Sequence, residues 1–366
     1  MSKLEELIQQ YCPDGVEYKK LGDVCKLARG TRVVKKDLST SGTYPVYQNS
    51  LKPLGYYDQF NRAEETTFII CAGAAGDIGY SKVKFWSADD CFSIICPETI
   101  SNRYIFYCLS SQQNRIYNQV RKASIPRLSH SAVEALHIPV PPLPVQEEIV
   151  RILDNFAELQ AELQAELQKR LQQYNYYRDK LLSFNDLNGG YAVSVEWKRL
   201  KDVLRIKNGK DYKHLNSGLI PVYGSGGIMT YVDTPMYSKP SVLIPRKGSI
   251  DKLYYVDTPF WNVDTIFYTE IDTSKVVEKY VYYVLQKEHL EKLNTAGGVP
   301  SLTQGVLNEV LIPVPSIAEQ QRIVDILDRF DALTTDITAG LPAEIEARRK
   351  QYEYYRDQLL TFKQKV

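Results

Sequence analysis

The chain has 366 residues, 44% hydrophobic and 24% charged, and its 45 Lys and Arg nearly balance its 44 Asp and Glu to leave a net charge of +1. This is an ordinary globular composition with length for two or three cores; it excludes a membrane span, since no run of 18 apolar residues occurs, and bulk charge alone gives no sign of a nucleic-acid binder. The six cysteines (Cys12, Cys25, Cys71, Cys91, Cys96, Cys108) form no Cys-x-x-Cys pair and the four histidines are scattered, so reduced thiols and no metal site are expected.

Residues 2–11 read as a short amphipathic helix without the apolar stretch of a secretory signal, so a cytoplasmic location is expected. Short apolar and β-branched runs follow, such as Thr67-Phe68-Ile69-Ile70, separated by Gly, Pro, Asn and Asp turns; they predict strands. A helical stretch over about 102–120 leads to the Ile125-Pro126 turn. A long helix is then expected from Pro144, a residue suited to a first turn. Ile149, Ile152, Phe156, Leu159, Leu163, Leu167, Leu171 and Tyr174 recur along it at steps of three and four, the seam of a coiled coil. Strands resume, with Ser241-Val242-Leu243-Ile244 as an example, and a helical stretch over about 275–293 follows. Ser316-Ile317-Ala318-Glu319 has the form of a capping box. It opens a helix with Ile323, Ile326, Phe330, Leu333 and Ile337 on one stripe, which Gly340-Leu341-Pro342 should break or kink before Ile345, Tyr352 and Leu359 resume it.

The chain is written twice. IPVPPLPVQEEIVRILDNFAEL (138–159) matches IPVPSIAEQQRIVDILDRFDAL (312–333) at an offset of 174, and QQYNYYRDKLLSF (172–184) matches KQYEYYRDQLLTF (350–362) at 178. Looser echoes precede them: Val16–Leu21 with Val195–Leu200, Tyr44–Tyr47 with Ile220–Tyr223, and Ile125–Ser129 with Val299–Thr303. A diverged globular segment therefore alternates with a closely repeated helical one.

PVQEEIVRILDNFAEL, QYNYYRDKLLSF and GLPAEIEARRKQYEYYRDQLLTF resemble the conserved regions of the specificity subunits of Type I restriction–modification systems. The opening LEELIQQYCPDGVEYKKLGDV and the turns before each IPVP are similar to the edges of that family's target recognition domains. The resemblance runs from end to end. It implies an α+β chain in which two α/β target recognition domains, in a pseudo-two-fold arrangement, are separated by a long antiparallel coiled coil of the two helical regions. The expected boundaries are 1–143 and 186–315 for the recognition domains, 144–185 and 316–366 for the helical spacers. It also implies a sequence-specific DNA-binding subunit in which each domain reads one half of an asymmetric bipartite site. The helices set the gap and dock two methyltransferase subunits, and two restriction and motor subunits join. S-adenosylmethionine, ATP and magnesium would belong to those partners, leaving this chain without a cofactor.

The residues themselves add candidates for DNA contact. Residues 19–36 balance to +6 and 198–213 to +5, which suggests phosphate binding through Lys26, Arg29, Arg32, Lys35 and Lys36 in the first copy and Lys207, Lys210 and Lys213 in the second. Polar turns after the shared Pro-Val offer Tyr47, Gln48, Asn49 and Ser50, and Tyr223 and Ser225; Gln and Asn can pair with adenine. Lys82, Lys84, Arg246, Lys247 and Lys252 flank predicted strands, and Arg121, Lys122 and Arg127 surround the Ile-Pro turn where the second copy has Thr295, Ser301 and Thr303.

No catalytic residue is assigned. The Asn-Pro-Pro-Tyr loop and Gly-rich cofactor turn of an adenine methyltransferase are missing. Gly73–Gly79 has the wrong spacing for a nucleotide site and reads as a turn near a binding surface. Asp14 and Glu17 stand too close together for a magnesium nuclease. The alternatives left open are a coiled-coil adaptor that binds protein without DNA affinity, and a chain carrying its own methyltransferase or nuclease centre.

Overall fold

The computed structural model describes all residues except 1, 35, 37, 40–41, 185–193, 295–299, 336–339 and 366. It comprises two compact units, the first built from residues 1–164 and 345–366, the second from 165–344.

The first unit opens with α1 (Lys3–Tyr11), whose Ser2 hydroxyl accepts from the Glu5 N–H while the Glu5 carboxylate accepts from the Ser2 N–H. This is the expected helix with a full capping box. β1 (Tyr18–Lys20), α2 (Leu21–Val24), β2 (Lys26–Arg29), β3 (Tyr44–Tyr47), β4 (Gly55–Tyr57), β5 (Thr66–Ile70), β6 (Ile78–Ser81), β7 (Trp86–Ser87) and β8 (Cys91–Ile95) follow, then α3 (Asn102–Ser111), α4 (Gln113–Asn118), α5 (His130–Glu134), β9 (His137–Pro139) and the start of α6 (Leu143–Ser183). An antiparallel sheet runs β2-β8-β5-β6, and a smaller one β4-β3-β7, with β3 and β7 parallel. β5, TTFII, is buried at every position because both its faces are covered, and its Thr66 and Thr67 hydroxyls donate to the Ala63 and Asn102 carbonyls. α3 lays Tyr104, Ile105, Tyr107, Cys108 and Leu109 into the core.

The second unit repeats the order: β10 (Glu196–Arg199), α7 (Leu200–Val203), β11 (Leu204–Asn208), β12 (Ser217–Gly224), β13 (Gly227–Val232), β14 (Ser241–Pro245), β15 (Tyr254–Val256), β16 (Trp261–Asn262), β17 (Ile266–Ile271), α8 (Glu278–Lys287), α9 (Gln304–Asn308), β18 (Leu311–Val314), α10 (Ile317–Thr335) and α11 (Leu341–Leu359). Its sheets run β11-β17-β14-β15 and β13-β12-β16, again with one parallel pair. α11 belongs to the first unit from Ile345 onward, so the chain end returns to its beginning. Val16 N–H donates to the Lys363 carbonyl at 2.8 Å, and the Tyr18 hydroxyl accepts from the Phe362 N–H at 3.0 Å.

In each unit one buried polar network pins the repeated helix to its domain. Gln146 is fully buried; it accepts from the Ser101 N–H and donates to the carbonyls of Thr99 and Pro141. Gln320 does the same with the Val277 N–H and the Lys275 and Pro315 carbonyls. Two turns further along the helix, the Tyr107 hydroxyl donates to Asp154 and the Tyr283 hydroxyl to Asp328, each at 2.5 Å, with Arg103 and Lys279 paired to the same carboxylates. Burial, then the facing carboxylate, pushes both phenols up, so they remain donors.

The helical stripe divides into segments. Ile149 and Ile323 are fully buried in the domain cores, joined there by Leu153 and Leu327, while Ile152, Ile326, Ile345 and Leu359 are partly covered. Phe156 stacks on Tyr355 in the first unit, and Phe330 on Tyr177 in the second, both at 5.6 Å. Tyr174 is buried with its hydroxyl on Gln286, and Tyr352 packs on the first core. Leu163, Leu167 and Leu171 are half-buried. Leu159 and Leu333 depart from the expected seam, being 50% and 38% exposed. Each lies ten residues beyond the core-facing Ile149 or Ile323, which rotates it about 80° off that line in a straight helix of 3.6 residues per turn. Ile337 lies outside the described residues. At Ser316 the hydroxyl caps the Glu319 N–H, but the Glu319 carboxylate turns to Arg322 at 2.6 Å, so only half of the expected box is used. α10 ends at Thr335 and α11 begins at Leu341, directly after Gly340; residues 336–339 lie outside the described residues.

Glu148, nearly buried, joins Lys3 of α1 at 3.0 Å and Arg151 at 2.7 Å. The Arg151 guanidinium, aided by Lys3 and opposed by burial, holds its carboxyl down at about 2. A carboxyl lowered by folding stabilises above its ordinary value of 4.5 and loses that contribution as pH falls toward 2. Glu148→Gln should therefore flatten the acid loss of the urea midpoint between those pH values, read by circular dichroism; a parallel slope in both proteins would refute it.

Candidate nucleic-acid interface

In each unit three chain segments distant in sequence meet at one end of the sheets. The first is the polar turn after β3 or β12, the second the turn after β5 or β14, the third the segment before α5 or α9. Gly73, at φ 85°, donates its N–H to the Pro126 carbonyl, and Gly248, at φ 78°, to the Pro300 carbonyl. Leu128 N–H reaches the Cys71 carbonyl and Leu302 N–H the Arg246 carbonyl, both at 2.9 Å. These bonds align Cys71-Ala72-Gly73 with Arg246-Lys247-Gly248. The expected glycine turn is present between β5 and β6, and a Cβ on Gly73 would meet Asn49 at 2.8 Å.

A second matched contact secures the basic strand edge. A Cβ on Gly30 or Gly209 would lie 2.0 or 2.1 Å from the carbonyl of Ala88 or Val263. Only glycine permits the approach. Trp86 Nε1–H then donates to the Thr31 carbonyl and Trp261 Nε1–H to the Lys210 carbonyl. The underlying signal is a further repeat, Phe85-Trp86-Ser-Ala-Asp89-Asp90-Cys-Phe92 and Phe260-Trp261-Asn-Val-Asp264-Thr265-Ile-Phe267.

The first unit thus gathers Tyr47, Gln48, Asn49, Arg29, Arg121 and Arg127. Ala74 N–H donates to the Asn49 carbonyl, Arg127 bridges to Ala72 and Arg121, Arg29 Nε–H donates to the Asp89 carbonyl, and Gln48 reaches Asp90 at 3.5 Å. Ser50 turns its hydroxyl to the Lys52 carbonyl. Burial, then the Asp90 carboxylate, pushes the Cys71 thiol up to about 11, so this cysteine is no nucleophile. The second unit gathers Tyr223, Ser225, Arg246, Lys247 and Ser301, together with Asn208, Tyr254 and Thr265, which sequence reasoning passed over. Arg246 Nη1 lies 3.4 Å from Asn208 Oδ1, Lys247 bridges to Ser301, and Tyr254 donates to the Ser225 carbonyl. The first site sets Arg29 on the Asp89 backbone carbonyl and Gln48 near the Asp90 carboxylate; the second sets Arg246 beside Asn208, and Lys247 in register with Ser301.

Other predicted residues sit elsewhere. Lys84 lies over the Phe60 ring, Lys207 faces Glu270 at 3.6 Å, and Lys252 lines a cavity with Asp251, Arg178 and His289. Thr303 caps α9 by accepting from the Val306 N–H. Lys26, Arg32, Lys36, Lys82, Lys122, Lys210 and Lys213 are exposed; Lys35 and Thr295 lie outside the described residues. Part of each basic stretch is neutralised, since Lys19 pairs with Glu17, and Arg199 and Lys201 with Glu309. Among the described residues no group of three or more His, Cys, Asp or Glu could hold a metal ion, and no helix is long and apolar enough to cross a membrane.

Two units of one design, each clamped to a repeated helix and each ending in a polar cluster of different chemistry, define a duplicated recognition protein. The family model of the Type I restriction modification DNA specificity domain matches residues 13–173 and again 193–347. The specificity subunit of the EcoR124I/EcoR124II type I restriction enzyme of Escherichia coli is 32% identical over 99% of this chain and 97% of its own. A type I restriction enzyme specificity-subunit relative from Haemophilus influenzae is 30% identical over 95% and 96%. The crystal structure of a Type I restriction–modification S subunit from M. genitalium superposes with a TM-score of 0.65 at 21% identity, covering 94% of this chain and 95% of that one, and so shares the fold. The chain belongs to the family of Type I restriction–modification specificity subunits: a non-catalytic, sequence-specific DNA-recognition component of a restriction–modification complex.

Proposed function

We propose that each unit reads one half of an asymmetric, bipartite DNA site, and that the repeated helices fix the unread gap and dock two methyltransferase subunits, with two restriction and motor subunits joining that core. S-adenosylmethionine, ATP and magnesium then act on the partners, and this chain carries none of them. In this reading the recognition domains are residues 1–143 and 186–315, and the spacers are 144–185 and 316–366. The supporting observation is that two polar ends, framed by the same glycine, tryptophan and proline-carbonyl contacts, carry different side chains. Gln48 and Asn49 in one end suit adenine edges, whereas Arg246 and Lys247 in the other suit guanine.

The proposal is tested by mapping methylated bases in cells that express this chain with its neighbouring methyltransferase. The expected result is one motif of two different half-sequences around an unspecified gap. Exchange of residues 1–143 for those of another family member should change one half only. A palindromic motif, or a change in both halves, would overturn the reading.

A further inference from the structure

One feature survives in both polar ends although the side chains around it differ. Tyr56 on β4 stands opposite Pro45 of β3, and Tyr231 on β13 stands opposite Pro221 of β12. Both are exposed, 40% and 50%. Two residues past each of those prolines comes a second tyrosine, Tyr47 at the end of β3 and Tyr223 one residue before the end of β12. Burial, then the outer phenol of the adjacent strand, pushes the Tyr47 and Tyr223 phenols up. The inner rings are seated on aromatics, Tyr47 at 4.6 Å from Phe68 and Tyr223 at 6.3 Å from Phe260. The chain then enters the polar turn, Gln48-Asn49 in one unit and Gly224-Ser225 in the other.

Around this pair the reading positions change in kind. Gln48 is replaced by Gly224, Asn49 by Ser225, Cys71 by Arg246, Ala72 by Lys247, and Arg127 by Ser301, as the matched backbone bonds align them. Side chains that read bases must differ if the half-sequences differ. A group held at one register in both units serves what the two half-sites share, and that is the sugar–phosphate backbone. Two neutral tyrosines on adjacent strands, one seated on aromatic rings and one exposed, suit phosphate oxygens. They donate without the charge that would also attract competing anions.

We propose that Tyr47–Tyr56 and Tyr223–Tyr231 are paired phosphate clamps, one per unit, which fix each polar end on the duplex backbone and carry no sequence information. The inference rests on the proposed DNA-reading role of the two ends. Its test uses Tyr56→Phe, Tyr231→Phe and the double variant, each in complex with the methyltransferase partner; these changes remove one hydroxyl and keep the ring. Fluorescence anisotropy on the bipartite duplex and on an unrelated duplex of equal length should show the double variant weakened alike on both, roughly a hundredfold or more for two lost hydrogen bonds to charged oxygens. Each single variant should give about half of that on a logarithmic scale. The methylated motif should stay the same, and the salt slope should hold because the lost groups are uncharged. Weakening on the bipartite duplex alone with a relaxed motif would overturn the proposal in favour of base contact. Unchanged binding on both duplexes, or loss of complex assembly in size-exclusion chromatography, would overturn it too. A parent complex that yields no bipartite motif would instead remove the DNA-reading role on which the clamp depends.

Discussion

A variant carrying one extra Leu-Gln-Ala-Glu unit in α6, after Glu166, is expected to methylate a site whose unread gap is wider by one base pair, two at most, with both half-sequences unchanged. Residues 159–170 read LQAE, LQAE, LQKR inside a helix that runs unbroken from Leu143 to Ser183. Four residues add about 6 Å of rise and about 40° of net rotation. A base pair adds about 3.4 Å and 34–36°. The rise falls between one and two base pairs, but the rotation matches one. Rotation decides, because a reading turn that is out of phase faces the backbone instead of the groove. Leu163, Leu167 and Leu171 are all half-buried, so an inserted leucine repeats an environment the helix already provides. Inserting two residues instead rotates the helix by about 200° and should abolish methylation while the protein still folds. Methylome sequencing reads all three outcomes. An altered half-sequence, or a gap indifferent to the insertion, would sink the idea.

Much of this architecture was legible because it is written as repetition. The 174-residue offset gave two units, and the strand and helix positions followed from periodicity at Thr67–Ile70, Ser241–Ile244 and Ile149–Tyr174. What escaped notice depends on contacts between distant residues. The return of the chain end to Val16 and Tyr18 joins residues more than three hundred positions apart, and no local pattern records it. Leu159 and Leu333 belonged to the apolar rhythm but fall off the core-facing line, because a step pattern of threes and fours does not track 3.6 over ten residues. The polar ends were half visible. Arg246 and Lys247 stand out as charge, whereas their counterparts Cys71 and Ala72 do not, and only the backbone bonds to Leu128 and Leu302 equate them. The Phe-Trp repeat at residues 85 and 260 was the readable signal for Asp89, Asp90 and Thr265. Gln146 and Gln320 were readable as well, as the same polar residue kept at one place on an otherwise apolar face.

Those two glutamines should be worth more to stability than any single apolar residue beside them. In Gln146→Ala the Ser101 N–H and the Pro141 carbonyl, bonded at 2.9 and 2.7 Å, lose their partner in a site closed to water. Each bare buried group costs about 1–3 kcal/mol, and the vacated volume adds to it. A total of about 3–6 kcal/mol at 2–4 °C per kcal/mol for a unit of this size lowers the melting point of the first unit by roughly 6–24 °C. Gln320→Ala strips the Val277 N–H and the Pro315 carbonyl at 2.8 and 2.9 Å and should do the same to the second unit. The two variants share no bonded group, so their effects should add. Calorimetry of each single variant and of the double variant tests this. Gln146→Leu, which fills the volume but still leaves both backbone groups bare, should recover little of the loss. If leucine restored the melting point, packing and not hydrogen bonding would be what holds the repeated helix to its domain.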